Sequence, residues 1–160
     1  IRDSRHTAPG DLGWMIQRNA ALYAQEFGWN ADYEALVARI IADYARDHDP
    51  ARERVWIAEL AGRPVGAVMC VQDEHEPDAA RLRLLLVEPD ARGHKVGSEL
   101  VDACIDFARE TGYRHMVLWT NSVLASARSI YQRAGFQLIA EKPHHSFGAD
   151  LVGQDWRLDL

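Results

Sequence analysis

The heptapeptide Arg92-Gly93-His94-Lys95-Val96-Gly97-Ser98 follows an apolar run and opens an amphipathic segment, an arrangement suited to holding an anion. Leu84-Leu85-Leu86-Val87 reads as a strand, Glu88–Gly93 as a loop, and the residues from His94 as a helix. A helix start leaves N–H groups without acceptors, and the macrodipole favours negative charge there, so a phosphate fits. The stretch Leu84–Leu100 is not a Walker loop, which ends in Gly-Lys-Ser/Thr, and it lacks the triple glycine of a dinucleotide fingerprint. Alone it supports an anion-binding strand–loop–helix. The bland alternative is an ordinary helix start in which Gly93 and Gly97 serve turn and packing.

Other residues are suited to proton transfer. His144 and His145, in Pro143-His144-His145-Ser146-Phe147-Gly148, titrate near neutrality as a residue type and are expected between the last two strands. A turn feature with one ring hydrogen-bonded and one exposed is the competing account. Glu26, in Tyr23-Ala24-Gln25-Glu26-Phe27-Gly28-Trp29, is a candidate base or amine-recognition group beside an aromatic stripe. The acidic tip Asp73–Asp78, with His75, reads as a solvated loop, because no second ligand group is spaced to complete a metal site. No metal is expected.

These groups need elements to position them. Pro9-Gly10-Asp11 turns into a helix over Leu12–Phe27, closed by Gly28, and a second helix runs over Asp32–Asp47. The period then changes to strands at Arg54–Leu60, Pro64–Gln72 and Arg81–Val87, the last nearly continuous in apolar residues. A helix over His94–Thr111 ends at Gly112. A strand at Arg114–Trp119, a helix at Leu124–Ala134 ended by Gly135, and strands at Gln137–Glu141 and Asp150–Leu158 complete the chain. This order predicts one α/β domain: a mixed central sheet of about six to seven strands flanked by about four helices.

At the loop the sequence resembles the GNAT acetyltransferase superfamily. Its pyrophosphate motif, Arg/Gln-x-x-Gly-x-Gly/Ala, is filled here by Arg92, Lys95 and Gly97. The resemblance implies that amides of the loop from Arg92 and Gly93 through His94, Lys95, Val96, Gly97 and Ser98 bind the pyrophosphate of acetyl-CoA. It also implies that the strand Leu85, Leu86 and Val87 pairs with the pantetheine arm. A second motif lies downstream: Asn121 after a strand, small residues including Ala127 along a helix, then Tyr131 and Gly135-Phe136. The resemblance makes Asn121 and Ala127 cofactor contacts and Tyr131 the general acid that reprotonates the CoA thiolate. A phenol suits that task, and such acid catalysis contributes about 10²–10⁴-fold. No residue stands out as the base, since Ala80 and Arg81 occupy the region where some relatives carry a glutamate. The motif departs at its middle glycine, which is Lys95. A side chain there either crowds the pyrophosphate or sets an ammonium beside it, the second being expected where the local φ is negative.

The resemblance narrows further. Tyr23–Trp29, Leu82–Pro89, Leu118–Val123 and Pro143–Gly153 look like the acetyltransferase half of bacterial proteins that join a MarR-type winged-helix DNA-binding domain to a GNAT domain. With Ile1 in place of a methionine, residues 1–160 are expected to be a single GNAT domain excised from, or C-terminal in, a longer chain. Two functions follow: an N-acetyltransferase acting on a small primary amine or a protein amino group, or an acyl-CoA- or metabolite-sensing module regulating an attached winged-helix factor with little turnover.

Composition sets the bounds. Of the 160 residues, 48% are hydrophobic and 26% charged, as in an ordinary globular domain. Asp and Glu number 24 against 18 Lys and Arg, for a net charge of −6, which argues against a nucleic-acid grip by this segment itself. No apolar run is long enough to span a membrane and no secretory signal is apparent. Cys70 and Cys104 sit in apolar patterns and read as buried, reduced thiols of a cytoplasmic protein. Edge strands near the C-terminus admit a homodimer.

Overall fold

The computed structural model describes residues 1–4 and 7–160. A short strand β1 (Arg2–Ser4) precedes helices α1 (Asp11–Phe27) and α2 (Ala31–Asp47). Then come β2 (Arg54–Leu60), β3 (Arg63–Gln72), β4 (Ala79–Val87), a 3₁₀ turn at Pro89–Ala91, and α3 (Val96–Thr111). The chain closes with β5 (His115–Asn121), α4 (Ala125–Ala134), β6 (Gln137–Ser146) and β7 (Ala149–Asp159).

Local chemistry sets the helix limits. Gly28, Gly112 and Gly135 take left-handed C-cap conformations, with φ of 71°, 92° and 102°, where a side chain would be strained. Asn30 caps α2 by accepting the Asp32 N–H at 3.0 Å. The seven strands form one sheet in the order β1-β2-β3-β4-β5-β7-β6. Only β4 and β5 run parallel; every other neighbouring pair is antiparallel.

Two layers of core sandwich the sheet. On one face α3 and α4 bury Leu100, Cys104, Ile105 and Tyr131 against Val68, Leu82, Met116 and Trp156. On the other, α1 and α2 bury Met15, Val37 and Ile41 against Val55, Ile57 and Met69. Removal of such apolar side chains from water is the main stabilising term, at roughly 1.5–3 kcal/mol for each large residue. A third cluster, Trp29, Phe147 and Leu151, ties the α1–α2 junction to the β6–β7 turn. Cys70 and Cys104 are free and buried.

Several expectations shift. β4 begins at Ala79, and β6 runs on to Ser146, so His144 and His145 lie on a strand and not in the connection between strands. β6 is an exposed edge strand carrying Pro143, and its pattern lacks the buried alternation by which a strand is read. β1 is three residues long and gives no periodic signal. Among the described residues, no helix is long and apolar enough to cross a membrane.

Candidate functional site

The sheet itself makes the opening. β4 and β5 pair only from Ala79–Arg81 to His115–Val117 and then part, although both continue. Leu84 takes φ 56° within β4, and the β3–β4 register shifts opposite it. This bulge bends the strand away from its neighbour. The edge of β4 beyond it faces a slot: the Tyr23 hydroxyl, from α1, reaches the Leu85 carbonyl at 3.3 Å.

Two helices point their N-termini at the same place. The first bond of α3 runs from the Glu99 N–H to the Lys95 carbonyl at 3.0 Å, which leaves the amides of Val96, Gly97 and Ser98 without an intrahelical acceptor. In α4 the Arg128 N–H bonds the Leu124 carbonyl at 3.0 Å, leaving Ser126 and Ala127 likewise open. Between them lies a cleft of about 560 Å³. Arg92, Lys95 and Arg133 line it with cations, while Leu85, Val87 and Ile130 supply its apolar wall. The helix ends approach closely because Gly97 has no side chain; a Cβ there would meet Ile130 Cδ1 at 2.6 Å. Backbone donors, a positive macrodipole and three cations fit a polyphosphate, and the apolar slot fits a thin, mostly uncharged arm.

Of the cofactor residues expected from sequence, Leu85, Val87, Arg92, Gly93, Lys95, Val96, Gly97, Ser98 and Ala127 line this cleft. Leu86 is turned into the core, 1% exposed, and His94 is exposed outside the lining. Asn121 is buried at the end of β5, where its Oδ1 pairs with His144 Nε2 at 2.8 Å. Lys95 adopts φ 61° and ψ 18°. The expectation of an ammonium set beside the phosphates rests on a negative φ, so its premise does not hold. The left-handed backbone explains instead why glycine suits the position.

The proton-transfer candidates separate. Tyr131 is buried against Phe136, ring centroids 5.8 Å apart, and its hydroxyl has no hydrogen-bond partner among the described residues. Burial, then the nearby Tyr23 and Cys104, push its pKa well above the usual phenol value. Tyr23 is pushed up to about 12, by burial and then Glu26, with Arg92 opposing. Tyr33 is raised by burial and by Tyr23 and Tyr131, so three protonated phenols converge here. His144 is held at both ring nitrogens, by Asn121 and by Ser146 Oγ at 2.9 Å, with Trp119 beside it at 5.3 Å between centroids. His145 stands apart, paired with the exposed Asp150 at 2.8 Å. Glu26 lines the cleft, but its carboxylate grips Arg92 at 2.5 Å. Among the described residues, no cluster of three or more His, Cys, Asp or Glu side chains is placed to hold a metal.

Sequence reasoning omitted Leu22 on the α1 wall and Ser129, Ile130 and Arg133 on the α4 wall, and weighed Tyr23 and Phe27 between a core stripe and a wall of the acceptor site. Tyr23 and Phe27 are visible as an aromatic stripe at helical spacing, which core packing explains equally well. Arg133 carries no signal until α4 is placed.

The acetyltransferase (GNAT) family model matches residues 16–136. N-acetyltransferase family 8 member 2 of Rattus norvegicus is 36% identical over 101 residues, 61% of this chain and 44% of that protein. The chain spans about half the length of the curated relatives it matches. Ribosomal-protein-alanine N-acetyltransferase from Brucella melitensis shares the fold with a TM-score of 0.77 at 20% identity, over 97% of this chain and 98% of that one. The putative acetyltransferase yncA of Salmonella typhimurium, solved with acetyl-CoA, has a TM-score of 0.73 at 21% identity, covering 96% and 90%. The chain belongs to the GNAT acetyltransferase family.

Proposed function

We propose that residues 1–160 form one N-acetyltransferase domain of a longer protein, which moves an acetyl group from acetyl-CoA to a primary amine by direct attack. The observation that carries this reading is the cleft itself. Two helix N-termini and three cations converge on it beside the slot opened by the parting of β4 and β5. Acetyl-CoA supplies the activated acyl group and the thiol leaving group. The residues of the chain hold it and manage the protons.

Val96, Gly97 and Ser98 offer amides to the pyrophosphate, with Arg92, Lys95 and Arg133 around it. The Leu85 edge, once Tyr23 releases its carbonyl, is open to the amides of the pantetheine arm. The acceptor approaches from the α1–α2 side, where Tyr23, Trp29 and Tyr33 form a wall with ring centroids 4.8–5.4 Å apart. An amine arrives largely as ammonium and must shed a proton before its nitrogen attacks. His144 is the base we assign: its Nε2–H donates to Asn121 Oδ1, so Nδ1 is the basic nitrogen, and it takes the amine's proton through the Ser146 hydroxyl that hydrogen-bonds it at 2.9 Å. The C–N bond forms as the amine adds to the thioester carbonyl. When the C–S bond breaks, the thiolate takes a proton from the Tyr131 hydroxyl, and the second proton shed by the nitrogen as it becomes an amide restores the phenol. Burial keeps that phenol protonated and also makes it a weaker acid, so its proton moves only as full charge develops on the departing sulfur.

The decisive test is free-thiol release from acetyl-CoA across a panel of amines, with calorimetric binding of acetyl-CoA measured alongside. Amine-dependent thiol release together with an acetylated product supports transfer. Tight binding with no release on any amine would leave the sensing module, coupled to an attached winged-helix factor, as the better reading. No calorimetric heat on adding acetyl-CoA would sink both.

A further inference from the structure

Among the described residues, Arg83 is a cation without a hydrogen-bond or ion-pair partner. It lies on β4 one residue before the Leu84 bulge, half-buried. Its side chain belongs to the α1–α2 face of the sheet: it stands opposite Met69, which packs under those helices, and alternates with Leu82, which packs under α3. Arg81, two residues earlier on the same face, pairs with Asp73 through its Nε at 2.8 Å. Arg83 makes no hydrogen bond or ion pair among the described residues. Asp43, Asp73 and Glu74 act on it only through space, and burial followed by Arg81 lowers its pKa. A guanidinium is always charged, and a half-buried one with no protein partner keeps its donors available to an incoming anion.

Its surroundings say what that is. Arg81 pairs with Val117 on β5 as the last pair before the strands part, and Arg83 and Trp119 follow two residues further along their own strands, on the same face as that pair. Trp119 is 45% exposed although it is the largest side chain of its strand. Its ring lies on Gly153 of β7, where a Cβ would stand 2.7 Å from it, and reaches His144 beyond. Cation, open indole and base therefore lie on one face of the sheet, with β4 and β5 parting between the first two.

We propose that Arg83 anchors a carboxylate carried by the acceptor, so the substrate class is an amino acid or an acidic peptide in place of a simple amine or polyamine. This rests on the transfer reading above. Arginine presents a planar fork that matches a carboxylate bidentately, and that geometry fixes the amine's direction as well as its affinity.

The test compares acceptors in matched pairs: free amino acids against their amides, and C-amidated dipeptides with an acidic or a neutral second residue. For wild type and Arg83→Gln, the readout is the ratio of kcat/KM for the charged member over the neutral one. A partly misfolded variant lowers both members equally, so the ratio survives a loss of stability. Wild type should favour the carboxylate member, and Arg83→Gln should reduce that preference at least tenfold, through KM. Arg83→Lys, which keeps charge and loses the fork, should fall between. The amino-acid and dipeptide arms tell which source of carboxylate is taken. Calorimetric titration of the protein–CoA complex with the same pairs reads the ratio without turnover. A carboxylate preference in binding with no thiol release would therefore retain this inference while removing the transfer reading. Equal use of both members by wild type, or an unchanged ratio in Arg83→Gln, overturns it.

Discussion

The two halves of the site are built from different materials. On the α3–α4 side the cleft is made of backbone: open amides at two helix starts, a missing side chain at Gly97, and a strand edge at Leu85. On the α1–α2 side it is made of side chains held by other side chains: His144 by Asn121 and Ser146, Trp119 beside His144, and Tyr23 against Trp29 and Tyr33. A backbone cradle reads a group common to many reactions and tolerates sequence change. A side-chain floor can be refitted one residue at a time, so it is where a particular acceptor would be chosen.

The sharpest separation of the halves comes from Tyr131→Phe set against Arg92→Ala. Phenylalanine keeps the ring packed on Phe136 and removes only the hydroxyl. We expect kcat to fall about 10²-fold or more while the affinity for acetyl-CoA is retained, because the loss is of a proton donor. Arg92→Ala should do the reverse, weakening acetyl-CoA binding several-fold with a smaller effect on kcat. Steady-state kinetics with calorimetry checks both. Equal effects of the two variants on kcat and on binding would mean that the halves do not work separately.

The same division explains what could be read from the sequence. Gly28, Gly112 and Gly135 end their helices as their type demands, and the apolar periods of α1, α2 and α3 place those helices within two residues. The loop from Arg92 to Ser98 is contiguous, so its spacing is visible in one dimension. The floor on the α1–α2 side is not contiguous: Trp119 and His144 come from β5 and β6, with β7 between them, and Arg83 comes from β4. A pair such as Glu26 and Arg92 lies 66 residues apart, and nothing local marks it. The backbone conformation of Lys95 is likewise invisible in residue type, since lysine is the wrong residue for it.

Glu26→Gln tests whether the two sides communicate. Glu26, at the end of α1, holds Arg92 of the loop at 2.5 Å, with the two side chains 24% and 48% exposed. An incoming pyrophosphate competes for the same guanidinium. A partly exposed pair is worth about 0.2–1 kcal/mol, so removing its charge should tighten acetyl-CoA binding by up to about fivefold. Calorimetry at low and high salt reads it, and the gain should shrink as salt screens the wild-type pair. Weaker binding in Glu26→Gln would instead make the carboxylate a positioning group for Arg92.

Lys95→Gly is the smallest expected effect and isolates strain from charge. At φ 61° the lysine holds a left-handed conformation that costs a non-glycine residue roughly 1–2 kcal/mol. Glycine removes that strain but gives back part of the gain through the greater freedom of the unfolded chain. A net gain of about 1 kcal/mol raises Tm by about 2–4 °C for a chain of this size. The substitution also takes a cation from the cleft wall, so acetyl-CoA binding should weaken even as the fold strengthens. Opposite signs in the two measurements would show strain retained at a position where the side chain serves the ligand. If stability rises and binding tightens, the ammonium contributes nothing to the phosphates, and the left-handed lysine is crowding the cleft.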